Sequence, residues 1–323
     1  MHREENTILL KKFRNLYCDS IACALGKYID VFKIDENDIL RQLSEDEMET
    51  LVEYAVLKNK LAGVGELYIK VPKVHQGRKY LDKHNVCGIE ILSARQMTAL
   101  SASEFVGGRI GFDIENLLDY SEGFLAELSD LTGQLELPIF ISLGRDIEEV
   151  GKLVNRYNMS PAEILENFGF LDRECYLYGL NYLDKEDQKL LKTYNPTLVF
   201  MPKNDGEEGK GAINLYNFIY NGLKFCFSSG KCYNIDMLAE AKLAKINTSN
   251  LMHERGLITT NDLLNAIQME ESEEDLELSI DDEEKEDNIF DKKVVNIEES
   301  LLKEYYPLEE KIKQIAKRIK EKI

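Results

Sequence analysis

Four short stretches of this chain gather side chains able to do chemistry where apolar runs give way to polar residues. The first, FRNLYCDS (13–20), carries Tyr17 and Asp19, and the second, IFISLGR (139–145), carries Ser142 and Arg145. The third, YLYGLNY (176–182), places Gly179 where the strand ends and Tyr182 just beyond it. The fourth, FCFSSGK (225–231), ends in Ser229, Gly230 and Lys231. Hydroxyls, one carboxylate and two cations converging on one point would make a pocket for a small polar ligand; Asp19, Ser142, Arg145, Tyr182, Ser229 and Lys231 are its candidate contacts. Metal chemistry is not expected. The four histidines (His2, His75, His84, His253) are scattered, and the six cysteines show no CxxC spacing. The glycine-rich KNDGEEGKG (203–211) lacks the GxxxxGK[ST] spacing of a phosphate loop and reads as an ordinary connection.

Bulk composition narrows the function classes. A formal net charge of −19 argues against nucleic acid and anionic membranes, which need clustered Lys and Arg. No apolar run approaches the ~20 residues of a membrane span, and the N-terminus lacks the apolar core of a signal peptide, so a cytoplasmic protein is expected. In that compartment Cys87, Cys175 and Cys226, inside apolar runs, read as small core residues and not as disulfide partners.

Apolar runs at 8–16, 66–71, 88–93, 109–114, 138–143, 175–180, 197–202 and 223–228 read as strands, several with little alternation, as strands buried on both faces should be. Helical patterns fall between them at 45–61, 115–132, 147–157, 185–193, 212–222 and 235–245, and Ser44 with Glu47 forms a capping-box signature. Eight strands alternating with helices predict an α/β fold, a (β/α)8 TIM barrel over residues 1–268; a doubly wound open sheet is the rival. Residues 269–290 hold a dense acidic run and read as a flexible linker. In 291–323, Leu301, Tyr305, Leu308, Ile312, Ile315 and Ile319 form one helical stripe, with Pro307 expected near a helix start. That stripe either docks on its own barrel or pairs the chain with a homo- or hetero-oligomeric partner.

The stretches MSPAEILENFGFLDRECYLYGLNYLDKEDQKLLKTYNPTLVFMPKND (159–205) and GLKFCFSSGKCYNIDMLAEAKLA (222–244) resemble the amidohydrolase superfamily, in its chlorohydrolase, guanine deaminase and adenosylhomocysteine deaminase branch. Leu183, Asp187, Leu190, Leu191, Pro202, Asp236, Met237, Glu240 and Ala244 hold that frame. The resemblance implies a metal-dependent hydrolase barrel in which histidines on strands one, five and six and an aspartate on strand eight hold a divalent ion, with a glutamate after strand five moving protons. Carried over, those positions fall on Tyr17 and Asp19, Ser142, Arg145, Gly179, Tyr182 and Gly230. Only Asp19 keeps a ligand-type side chain. The family's β-sandwich is expected to be missing. The reading is a catalytically degenerate barrel, without metal or other cofactor, that binds a small polar ligand or acts as a scaffold, pairing with an active relative through its last helix. The alternative is a C–N hydrolase of the deaminase type with a rebuilt, metal-poor site drawn from Asp19, Asp113, Tyr17, Tyr182 and Lys231.

Overall fold

A computed structural model of the chain describes residues 7–100, 105, 109–270, 275–279, 289 and 299–322. The described residues form ten strands: β1 (Thr7–Lys11), β2 (Phe13–Asp19), β3 (Val64–Lys70), β4 (Cys87–Ser93), β5 (Ile110–Ile114), β6 (Ile139–Ser142), β7 (Cys175–Tyr178), β8 (Thr197–Phe200), β9 (Phe225–Phe227) and β10 (Asp275–Ser279). Strands β2 to β9 lie side by side in sequence order, every neighbouring pair parallel. The ring is drawn together just after β9, where Gly230 N donates to Tyr17 O and Asp19 N donates to Gly230 O, both at 3.0 Å. A TIM barrel is therefore the architecture, and all eight expected runs supply its strands. Every residue of β5, β6 and β7 is buried, because helices cover the outside and side chains fill the inside. The interior is aromatic: Tyr17, Phe140, Tyr176 and Tyr178 pack there with Leu16, Ile91 and Val199. Phe140 and Tyr176 stack at 4.7 Å between ring centres.

Four features differ from expectation. The run expected as one strand over 8–16 divides at Lys12. Its first half, β1, leaves the barrel and pairs antiparallel with β10, from Thr7 opposite Ser279 to Lys11 opposite Asp275. β10 lies inside the acidic stretch expected to be a flexible linker. It is anchored by Leu276, buried against Gly63, where a Cβ would come within 2.9 Å of Leu276 Cδ1. The helix expected from residue 115 begins at Glu122, because Ser121 caps it, accepting from Phe124 N at 3.2 Å. Pro307 sits inside the last helix, Glu299–Lys320, and not near its start. The cap of Glu45–Leu61 is as expected, with Glu47 accepting from Ser44 N at 2.9 Å. Cys175 and Cys226 are buried, whereas Cys87, the first residue of β4, is exposed and not a core residue.

The stripe of Glu299–Lys320 packs on the same chain. Leu301, Leu308, Ile312, Ile315 and Ile319 are buried with Ile21, Leu25, Leu51 and Leu57, and Tyr305 stacks on Tyr54 with a 2.7 Å bond between their hydroxyls. Arg318 extends the seam, donating to Gln42 O at 2.9 Å and to Glu47 Oε2 at 2.7 Å. The apolar face that the sequence left open to a partner is thus covered by Glu45–Leu61. Among the described residues no helix is long and apolar enough to cross a membrane. Ile312 is wholly buried in this seam, so Ile312→Ala should cost about 2–5 kcal/mol and lower the melting temperature by several degrees. An unchanged melting curve would contradict the docked helix.

Candidate functional site

In a barrel of this kind the C-terminal ends of the strands build the site, and here they deliver one lysine into a nest of acids. β3 ends in Lys70, a buried side chain projecting to where β2 ends in Asp19 and β5 carries Asp113. Lys70 Nζ lies 3.9 Å from Asp19 Oδ2, 3.7 Å from Asp113 Oδ2 and 3.1 Å from Glu36 Oε2, and it is in direct contact with Glu115 Oε1. Two phenols complete the nest: Tyr17 donates to Asp113 Oδ2 and Tyr178 to Asp113 Oδ1, each at 2.8 Å, with their rings 4.8 Å apart.

The charges explain one another. Burial works against the Lys70 charge, but Glu115, Glu36, Asp113 and Asp19 hold its value well above the ordinary one. Lys70 pulls Glu115 down to about 2, against burial and with help from Lys231. Burial pushes Asp113 up to about 7 despite Lys70 and the two phenols, and burial with the Asp19 charge also raises Glu36. Four carboxylates around one ammonium leave an excess of negative charge, and a retained proton is the response expected of such a cluster.

The sequence-derived positions separate into three groups. Tyr17 and Asp19 belong to the nest, although Asp19 also caps the helix Ser20–Leu25 by accepting from Ala22 N at 2.8 Å. Arg145 and Lys231 border it from the loops after β6 and β9. Arg145 pairs with Glu208, Asn204 Nδ2 donates to Glu208 Oε1 at 3.2 Å, and Lys231 N donates to Asn204 Oδ1 at 2.8 Å, which fastens the two loops together. The glycine-rich stretch contributes here, because 203–207 lie in a short helix, Pro202–Glu207, instead of an open loop. The rest stand apart. Ser229 serves barrel closure, its Oγ accepting from Asn15 Nδ2 at 2.8 Å. Ser142 is wholly buried with no partner for its Oγ. Tyr182 is 40% exposed and lines neither the chamber nor the pocket of the mouth. Gly179 has φ +75°, and a Cβ there would approach Arg145 Cβ to 3.0 Å and Ser142 Oγ to 3.3 Å, so the turn itself demands glycine. Gly230 likewise has φ +57°, with a Cβ landing 2.8 Å from Asn204 Oδ1. Lys70, Glu36 and Glu115 were missed; Lys70 was legible as a lone lysine closing the apolar strand VGELYIK, and Glu115 as the first charge after β5.

Several spaces open at this end, two of them bordering the nest. A chamber of about 20 Å3, lined by Tyr17, Tyr178, Gly179, Glu115, Asp205 and Lys231 among others, has room for about one water. Outside it lies a pocket of about 580 Å3. Its wall carries Lys70, Arg95, Arg145 and Lys231 against Asp35, Glu36, Glu115, Asp119 and Glu208, with Phe32, Leu40 and Tyr120 as apolar surface.

The residues here do not fit a zinc ion. Neither space is lined by a histidine or cysteine, and among the described residues no group of three or more His, Cys, Asp or Glu side chains could hold a metal. The acids that do approach one another face an ammonium. The frame residues keep structural duties: Asp187 accepts from Ala162 N at 2.9 Å, Asp236 from Ala239 N at 2.9 Å and Glu240 from Lys203 N at 3.0 Å.

A carboxyl whose value rises on folding stabilises the fold fully below its unfolded value, and that contribution is lost as pH climbs to the folded value. For Asp113 the window runs from near 3.8 to about 7. Asp113→Asn should therefore flatten the fall of melting temperature between about pH 5 and about pH 7.5. Parallel wild-type and variant curves would show that Asp113 does not titrate there.

No family model matches the chain. In sequence it is 24% identical over 141 residues to a 5-methylthioadenosine/S-adenosylhomocysteine deaminase of Caldicellulosiruptor saccharolyticus, covering 43% of this chain and 33% of that protein. It is 26% identical over 129 residues to a 5'-deoxyadenosine deaminase of Methanothrix thermoacetophila, covering 39% of this chain and 31% of that protein. The matched stretch thus spans about a third of these relatives' length. In fold it is similar to a zinc-bound adenosine deaminase from Xanthomonas campestris, with a TM-score of 0.76 over 95% of this chain and 86% of that one at 11% identity. A guanine deaminase from C. acetobutylicum with bound guanine gives 0.63 over 97% and 83% at 13% identity. These two relatives in sequence and two neighbours in fold are deaminases; another neighbour in fold is an amidohydrolase from Brucella melitensis, with a TM-score of 0.70 over 94% of this chain and 89% of that one at 12% identity.

Proposed function

We propose that this barrel handles a small polar molecule at its mouth, and that it does so without a metal ion. The observation that carries the reading is the pocket of about 580 Å3 standing directly over the Lys70 nest, at the strand ends where barrels of this type place their chemistry. Its charges select the ligand. Arg95 and Asp119 pair at 2.9 Å, Arg145 and Glu208 pair with each other, and Lys70 is already shared among its acids. Lys231 lies 3.9 Å from Glu115, and four cations in the wall face five acids, so the balance is carboxylate and the favoured ligand offers hydrogen-bond donors, as an amine or an amino-substituted ring does, with Tyr120 and Phe32 as flat apolar surface for its body.

The deaminase relatives favour a second reading over simple binding: hydrolysis of a C–N bond in such a molecule. The groups at hand are those bordering the one-water chamber. Asp205 is buried and pushed up to about 6 by that burial, in the range of a general base at neutral pH, and Lys231 offers a cation to a developing negative charge. Water adds to the amine-bearing carbon as Asp205 takes its proton; Asp205 then gives that proton to the amine nitrogen, the C–N bond breaks and ammonia leaves.

A panel of amino-substituted purines, pyrimidines and their nucleosides, scored by melting-temperature shift and by ammonia release in chelator, separates the readings. A shift without ammonia supports binding; ammonia release lost in Asp205→Asn supports hydrolysis. A panel that produces neither, or one whose shifts survive Asp35→Asn and Tyr120→Ala together, removes the mouth pocket as the site.

A further inference from the structure

A second pocket, of about 560 Å3, lies beside the mouth pocket and shares only Val31, Phe32 and Lys231 with it. It forms where the turn after the helix Ser20–Leu25 meets the helix Pro202–Glu207 and the loop after β9. Its charge balance is opposite to that of the mouth. Lys27, Lys203 and Lys231 face Asp30 and Glu207, and both acids are engaged. Asp30 pairs at 2.7 Å with Lys33, outside the pocket, and Glu207 Oε2 accepts from Cys232 Sγ at 3.5 Å. The three lysines are held loosely by comparison. Lys27 is 3.5 Å from Glu309, Lys203 3.9 Å from Glu207 and Lys231 3.9 Å from Glu115. Elsewhere Lys79, Lys152 and Lys210 sit 2.5 Å, 2.6 Å and 2.8 Å from their acids. Pairs as loose as those in the pocket contribute little and leave ammonium hydrogens for another acceptor.

Much of the remaining wall is aromatic. Tyr28 and Tyr233 meet edge to face, with ring centres 6.4 Å apart at 73°, and Phe32 joins them from the shared partition. Lys27 Nζ lies 5.7 Å from the centre of the Tyr28 ring and 5.6 Å from that of Tyr233, so the rings themselves hold one cation at the corner. The backbone is fastened too. Lys203 N donates to Glu240 Oε2 at 3.0 Å, Lys231 N to Asn204 Oδ1 at 2.8 Å, and the buried Lys58 donates to Tyr233 O. A chain of net charge −19 does not draw anions to its surface at large, so an anion that settles here answers to these three cations and three rings. We propose that this pocket is a second binding site, separate from the mouth, for a small anion carrying a flat ring, the chemistry of an aryl phosphate. Lys27, Lys203 and Lys231 take the anion, and Tyr28, Phe32 and Tyr233 take the ring. The site has its own walls and does not depend on the amine reading of the mouth.

The test titrates the full chain by calorimetry with phenyl phosphate, with inorganic phosphate as the charge without the ring, and with benzylamine as the ring with the opposite charge. Phenyl phosphate should bind once per chain at about 0.1–1 mM, the range open to a ligand of its size. Inorganic phosphate should bind at least about tenfold more weakly, and benzylamine should not compete with phenyl phosphate. The double variant Lys27→Ala, Lys203→Ala should weaken phenyl phosphate about tenfold or more; both side chains reach solvent, so the fold is kept. Phe32→Ala, which removes a ring and leaves the charges, should weaken phenyl phosphate several-fold and leave inorganic phosphate unchanged. The mouth-pocket pair Asp35→Asn, Tyr120→Ala lies outside this site and should bind phenyl phosphate as wild type does. Absence of phenyl phosphate binding would overturn the proposal, as would binding that survives loss of Lys27 and Lys203. Equal affinity for inorganic phosphate, or binding lost with Asp35 and Tyr120, would overturn it as well.

Discussion

The structure turns on keeping one positive charge buried at the top of the barrel. An isolated ammonium at that depth would shed its proton or open the fold, and unpaired carboxylates there would fare no better. Each therefore conditions the other, and the surrounding elements follow. The helix Glu36–Leu40 is held over the mouth through Glu36, β5 and its turn through Asp113 and Glu115, and β2 through Asp19. Tyr17 and Tyr178 add the hydrogen bonds that an acid confined among acids requires. Such a cluster is poor evidence for stability in itself, because a well-packed apolar core would serve as well or better. It is good evidence that charge at this place is needed.

The loops above are arranged around the same constraint. Arg145, Glu208, Asn204 and Lys231 join the connections after β6, β8 and β9, leaving a chamber the size of a water below and an open pocket outside. Tyr17, Tyr178, Phe140 and Tyr176 fill the axis, and whatever binds must do so nearer the rim.

Much of this was legible in the residues. Eight apolar runs with helical patterns between them are enough for a barrel, since strands covered on both faces need no alternation and leave an unmistakable run of Ile, Leu and Phe. The cap at Ser44 and the stripe from Leu301 to Ile319 are local patterns with local causes. The site was harder. Lys70 closes a strand as dozens of solvated lysines do, and its meaning depends on acids 51, 34, 43 and 45 residues away in the chain, at Asp19, Glu36, Asp113 and Glu115. β10 was hidden for a different reason: its tract is acidic enough to read as solvated chain, and only Leu276 finding the space beside Gly63 gives it a partner. Gly179 was visible as an oddity, but the cause is the backbone, whose positive φ leaves no other residue comfortable.

The ribbon made by β1 and β10 has a kinetic meaning. It joins residues 7–11 to residues 275–279, outside the barrel wall and across nearly the whole length of the barrel sequence. A contact of that sequence separation closes a very large loop, so it forms late, after the strands between have found one another. On a ribosome the opening segment has no partner until the acidic tract emerges, and β1 must wait as an unpaired edge. The ribbon thus closes over strands that have already paired.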